Sequence, residues 1–149
     1  MDLESNSCAI SRSLAVLGER WTMLILREAN MGATRFAEFR DNLGVASDVL
    51  TDRLATLVSY GVLSREPYRE PGSRTRFAYH LTPAGEELRI VLSALQQWGD
   101  AHLPWRDGPT VVRRDRRTGR PVRIGYVDDR GREVPADRAD WVRTAAYPT

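Results

Sequence analysis

From Cys8 to Asn42 the apolar residues recur mostly three or four positions apart, the period of an α-helix that buries one face. Ile10, Leu14 and Leu17 line one side of a first helix reaching about Gly18, and Trp21, Leu24 and Ile25 mark a second that ends near Gly32. Thr34 is placed to cap a short third helix that turns Phe36, Phe39 and Leu43 inward. After a tight connection at Gly44 and Val45, Ser47 is the expected N-cap of a fourth helix. Leu50, Leu54, Leu57 and Val58 give that helix an apolar stripe at i, i+4, i+7 and i+8, and Gly61 is available to close it in the left-handed conformation.

The pattern then changes to strand-like runs over residues 62–68 and 75–81, separated by a charged stretch containing Pro71-Gly72, which predicts a hairpin. Thr82-Pro83 reads as an N-cap followed by proline at the first helical position. The fifth helix is expected from Pro83 to about His102, with Leu88, Val91, Leu92, Leu95 and Trp98 on one face. Beyond a Pro- and Gly-containing linker at residues 103–109, β character returns at 110–114, 122–127 and 132–134, which predicts a small antiparallel meander held by Val112, Ile124, Val127 and Trp141. The expected organisation is one domain over residues 1–105 and an Arg-rich extension over 106–149.

Composition narrows the class without naming a function. The chain has 149 residues, 42% of them hydrophobic and 28% charged, close to ordinary globular usage. No stretch approaches the roughly 18 to 20 apolar residues that span a bilayer, and the acidic, polar opening residues do not resemble a secretory signal. The expectation is a cytoplasmic protein with no membrane association. A single cysteine, Cys8, excludes an intramolecular disulfide and a cysteine-built zinc site. Net charge is only +2, but it is unevenly spread. Residues 1–105 carry 11 Arg against 13 Asp and Glu, whereas residues 106–149 carry 11 Arg against 7. His80 and His102 stand alone, and there is no glycine-rich phosphate loop, metal-ligand cluster or nucleophile beside a base, so neither catalysis nor a cofactor is expected.

The order of elements points to DNA. Three helices, a hairpin and a closing helix, with a further flanking helix ahead of them, describe a winged helix-turn-helix, mainly α with a small β component, in which the third and fourth helices of the chain form the helix-turn-helix. A helix of this kind enters the major groove with its N-terminal residues at the base edges. Residues off the leucine stripe are then the candidates: Ser47, Asp48, Val49, Thr51, Asp52 and Arg53, with Thr34 and Arg35 ahead of the third helix. Ser, Thr and Arg donate to bases or phosphates, and Val49 suits a thymine methyl. Asp48 and Asp52 repel phosphate; accepting from cytosine, holding Arg53 and favouring the helix N-terminus all remain open for them. From the hairpin, Arg69, Arg74 and Arg76 are candidates for the backbone or the minor groove. The two aspartates also keep open a winged-helix protein-interaction module without DNA binding.

Several motifs in order carry a family resemblance. The run from Cys8 through Gly18-Glu19-Arg20-Trp21-Thr22 to Glu28 resembles the opening of HxlR-type regulators. Thr34-Arg35-Phe36, Val49-Leu50-Thr51-Asp52-Arg53-Leu54 and Tyr60-Gly61-Val62-Leu63 continue it, and Tyr79-His80-Leu81-Thr82-Pro83-Ala84-Gly85 completes it within residues 8–102. The resemblance implies a homodimeric transcription regulator, a repressor in the first instance, on a double-stranded operator of two-fold character. It also implies flanking helices that dimerise, here through Leu14, Leu17, Leu88, Val91, Leu92, Leu95 and Trp98, although both stripes have an alternative within one subunit. Some members sense electrophiles, oxidants or small molecules through a cysteine at the opening position, so Cys8 has two readings: a redox sensor assisted by Arg12, or a half-buried structural thiol. The C-terminal ribbon looks like one that carries cysteines before its turn glycines in relatives. Here Thr118 and Arg130 stand there, so no structural zinc is expected.

Overall fold

The computed structural model describes residues 6–147, so the acidic opening at residues 1–5 lies outside the described residues. The helices are α1 (Ala9–Leu17), α2 (Arg20–Asn30), α3 (Phe36–Leu43), α4 (Ser47–Ser59), α5 (Pro83–Glu87) and α6 (Arg89–His102). Strands β1 (Leu63–Tyr68) and β2 (Arg76–Leu81) form the antiparallel hairpin between α4 and α5, in the register Leu63↔Leu81 to Tyr68↔Arg76. This is a mainly helical winged helix-turn-helix with a small antiparallel sheet.

By contact, the chain divides into a unit ending at Arg89 and a second, Ile90–Tyr147. Thus α6 groups with the C-terminal segment, whereas the division expected after residue 105 follows the family-like motifs. The core of the first unit is Ile25 and Leu26 of α2, Phe39 of α3, Val45, Leu50, Leu54 and Leu57 of α4, and Val62 and Leu63 entering the wing. The leucine stripe is therefore the side of α4 turned inward. Gly44 and Gly61 take positive φ at 62° and 66°, closing α3 and the α4 end where a Cβ would be strained.

Five expectations change. Thr34 does not cap α3: Arg35 holds the N-cap position, and the Glu38 carboxylate accepts from the backbone N–H groups of Thr34 and Arg35 at 2.8 and 2.9 Å. Thr34 instead accepts from Tyr79 N at 2.7 Å and Arg35 bridges Ala78, so this backbone is committed to the edge of the wing. Ser47 is likewise the first residue of α4, with Ala46 at the N-cap and no side-chain cap, and its carbonyl accepts from Thr51 Oγ1 at 2.7 Å.

The expected long fifth helix is interrupted at Leu88, whose N–H turns to the Gly85 carbonyl at 3.2 Å in a tighter i→i−3 bond. Thr82 does cap α5, accepting from Gly85 N at 3.2 Å. In the second unit the expected strands shrink to β3 (Tyr126–Val127) and β4 (Glu133–Val134), with one isolated bridge between Arg114 and Pro121. Val112, Val127 and Trp141 are exposed, at 60%, 67% and 83%, and do not form the packing expected of them. Polar bonds do that work. Gln97 pairs with both the N–H and carbonyl of Ile124 at 2.9 and 3.0 Å, and Gln96 donates to the Val111 carbonyl at 2.7 Å.

Candidate nucleic-acid interface

Burial of Leu50, Leu54 and Leu57 fixes which side of α4 meets solvent. Ser47, Asp48, Thr51 and Asp52 are exposed on the first two turns, joined by Ala55 and Ser59 further along, while Val49 is half-buried. Neither Asp48 nor Asp52 has a cation within 4 Å among the described residues. Arg53 sits on the flank instead: its side chain is 29% exposed and its guanidinium lies 4.0 Å from the Glu19 carboxylate at the start of α2. The helix thus offers an outward face of hydroxyls and carboxylates without a cation of its own.

The cations come from neighbouring elements. Phe36, Ala37 and Arg40 of α3, Ser47 of α4, and Tyr68, Arg74, Thr75, Arg76, Phe77 and Tyr79 of the wing line an open cleft of about 730 Å³. No carboxylate lines it. Arg40 is paired with Asp41 at 2.8 Å, whereas Arg74 and Arg76 have no carboxylate within 4 Å among the described residues. Burial raises the Tyr79 phenol above its ordinary value, against the smaller lowering by Arg65, so its hydroxyl stays a neutral donor. On the far side of the same helix edge, Thr51, Ala55, Val58 and Ser59 of α4 face Arg65 and Tyr79 across a smaller hollow of about 260 Å³.

Two of the expected DNA contacts, one in the wing and one at the start of α3, are engaged locally. Arg69 donates to the Ser73 carbonyl at 3.0 Å and closes the hairpin tip. Arg35 stacks on Tyr68 at 4.8 Å and donates to Glu70 at 3.1 Å, which ties the start of α3 to the wing. Arg40 and Tyr79 were not singled out from sequence. The signal for Arg40 was its position four residues after Phe36, on the same face of α3. The signal for Tyr79 was strand alternation with Phe77.

Further exposed apolar residues lie on α1 and α6. Neither α1 nor α6 contains a buried residue, and Ile10 and Leu14 are 54% and 59% exposed. On α6, Val91, Leu95 and Trp98 follow i, i+4, i+7 spacing and are exposed, on the side opposite Gln96 and Gln97. Leu17, Leu88 and Leu92 are half-buried. Cys8 is exposed at the N-cap of α1, and the Arg12 guanidinium is bonded to the Asn6 carbonyl.

Residues 16–107 match the model of the HxlR-like helix-turn-helix family. The chain belongs to the HxlR-like helix-turn-helix family. An uncharacterised HTH-type transcriptional regulator of Mycobacterium tuberculosis is 41% identical over 111 residues, covering 74% of this chain and 69% of the relative. The crystal structure of PA1607, a candidate transcription factor, is 34% identical with a TM-score of 0.81, covering 97% of this chain and all of that one. The redox regulator HypR in its reduced form is 26% identical with a TM-score of 0.59, covering 64% of this HxlR-type chain and 94% of HypR. The PA1607 match extends through the C-terminal ribbon, which the family model leaves out.

Proposed function

We propose that this HxlR-type transcriptional regulator is a cytoplasmic homodimeric repressor that reads a two-fold operator with α4 and grips its backbone with the wing. One observation carries the reading. The stripe of Leu50, Leu54 and Leu57 is fully buried, so Ser47, Asp48, Thr51 and Asp52 project outward beside a cleft bearing Arg40, Arg74 and Arg76. The cations supply sequence-independent attraction to phosphate, while short polar side chains on the helix discriminate base edges. Asp48 and Asp52 suit the cytosine amino group, and their charge makes the wing arginines necessary for approach. Arg53 shares its charge with Glu19 and contributes less to phosphate binding than Arg74 or Arg76. The family-like segment, residues 1–105, carries this activity, and residues 106–149 are an appendage to it.

Exposed apolar surface supports the dimeric part of this reading. Val91, Leu95 and Trp98 on α6, and Ile10 and Leu14 on α1, leave large side chains in water that a second copy of the chain would cover. The test of the function is selection of bound duplexes from a random pool, followed by binding measurements across a range of salt. Recovery of paired half-sites about 10 base pairs apart, with affinity falling steeply as salt rises, is the expected result. An unenriched pool with salt-independent binding overturns the reading in favour of a protein-interaction module.

A thiol signal is a second element of the proposal, supported by the exposure of Cys8 and by the likeness to a redox regulator. Diamide or a quinone should release the wild-type protein from its operator and leave Cys8→Ser bound; equal release of both removes Cys8 from the mechanism.

A further inference from the structure

Residues 113–120 contain five arginines and one aspartate, a local balance of +4 in a chain whose whole balance is +2. They fold into a tight hairpin. Arg114 bridges Pro121, Asp115 N donates to the Arg120 carbonyl at 2.9 Å, and Val122 N donates to the Arg113 carbonyl at 3.0 Å. The one acid is taken up by the turn itself. Asp115 accepts from Arg117 N and from the Thr118 hydroxyl, both at 2.8 Å, and these bonds hold its carboxyl below its ordinary range. Arg113 donates to Gln96 of α6 at 2.8 Å, which anchors the hairpin base.

That leaves Arg114, Arg116, Arg117 and Arg120 exposed, none within 4 Å of a carboxylate among the described residues. The next turn is built differently. There Arg132 pairs with Asp128 at 2.8 Å and Arg123 pairs with Glu133, so most of its charge is compensated locally. A solvated surface ordinarily intersperses both signs. Four unpaired guanidinium groups on one short, hydrogen-bonded turn repel each other, and a polyanion relieves that repulsion. Guanidinium is also the side-chain group best matched to phosphate oxygens.

We propose that this hairpin is a second DNA-contacting element, which binds backbone phosphates and adds affinity without adding base specificity. The proposal rests on the DNA-binding reading above. Its test uses the full chain and an operator obtained by the selection described there, presented with random flanks on each side, together with a panel of the same duplex carrying single base changes in the half-sites. The variant replaces Arg116, Arg117 and Arg120 with alanine, and a companion replaces them with lysine.

For B-DNA, every phosphate that is no longer neutralised by the protein lowers the slope of log K against log salt by about 0.9. With three arginines in each of two protomers, the alanine variant should therefore lose about 5 units of slope, and about tenfold or more in affinity at low salt. Its ranking of the base-changed duplexes should match wild type, and the lysine variant should keep most of the slope. Unchanged slope and affinity overturn the proposal, as does an altered ranking of the base-changed duplexes. Wild-type protein that binds no duplex overturns the underlying DNA-binding reading instead.

Discussion

Replacing Gly85 by alanine probes how the wing is fastened to the helices. Gly85 is buried in the first turn of α5, and a Cβ built on it would lie 2.2 Å from the Val62 carbonyl oxygen and 3.1 Å from Leu81 Cδ2. The leucine end can rotate away, but the carbonyl belongs to backbone and already accepts from Thr82 N at 3.1 Å, beside the Gly61 carbonyl that accepts from the Thr82 hydroxyl. Relief therefore requires α5 to lift off the base of the wing and weaken both bonds. Overpacking of this kind costs about 1–3 kcal/mol, and each impaired hydrogen bond adds about 0.5–1.5 kcal/mol. A total near 3 kcal/mol lowers a urea midpoint by roughly 1–3 M for slopes typical of small proteins. Urea unfolding followed by far-UV circular dichroism, at one fixed protein concentration because a dimer's stability depends on it, measures the shift. A Gly85→Ala midpoint indistinguishable from wild type, with unchanged slope, refutes the close-contact argument.

Gly99 is the contrasting case: nothing lies within 4 Å of its added Cβ inside α6, so Gly99→Ala should stabilise by about 0.5–1 kcal/mol through helix propensity, and destabilisation in the same urea experiment counts against it. Removing Arg74 and Arg76 together from both protomers should flatten the salt dependence of operator binding by about 3.6 units, with no change in base preference on a panel of mutated operators; an altered preference would assign them to base contact. Leu95→Glu should shift the protein toward monomer in light scattering at micromolar concentration, and an unchanged mass excludes the α6 face from the interface. The Glu38 carboxyl is held below its ordinary 4.5 by the N–H groups of Arg35 and Thr34. Its contribution to stability is therefore fully present above that value and is lost as pH falls through the lowered folded value. Glu38→Gln should flatten the acid limb below pH 4.5, and parallel curves would contradict the cap.

Local chemistry made much of the fold legible. The leucine spacing on α4, the Pro-Gly turn of the wing and the Thr82-Pro83 helix start each act within a few residues, and each is found where it was expected. The misplacements came from distant backbone. Thr34 has the right side chain for a cap, but its peptide groups pair with Tyr79 and Glu38, and an N-cap assignment from residue type alone does not see that competition. The C-terminal strands had the right residue types, yet the segment is fastened mainly by Gln96, Gln97 and two aspartate-capped turns, which alternation of apolar residues does not report.

The candidate interface divides in the same way. Sequence alone determined the outward set on α4, because burying Leu50, Leu54 and Leu57 leaves a 3.6-residue repeat only one side to expose. It also determined the excess of arginine in the C-terminal segment and the family motifs. Only the tertiary structure decided that Arg40 shares a cleft with Arg74 and Arg76 while Arg53 turns to Glu19. Those pairings join residues more than thirty positions apart, and they depend on how α3, α4 and the wing pack. Helical and strand periodicity encode the face a side chain occupies, but carry no information about which other face it will meet.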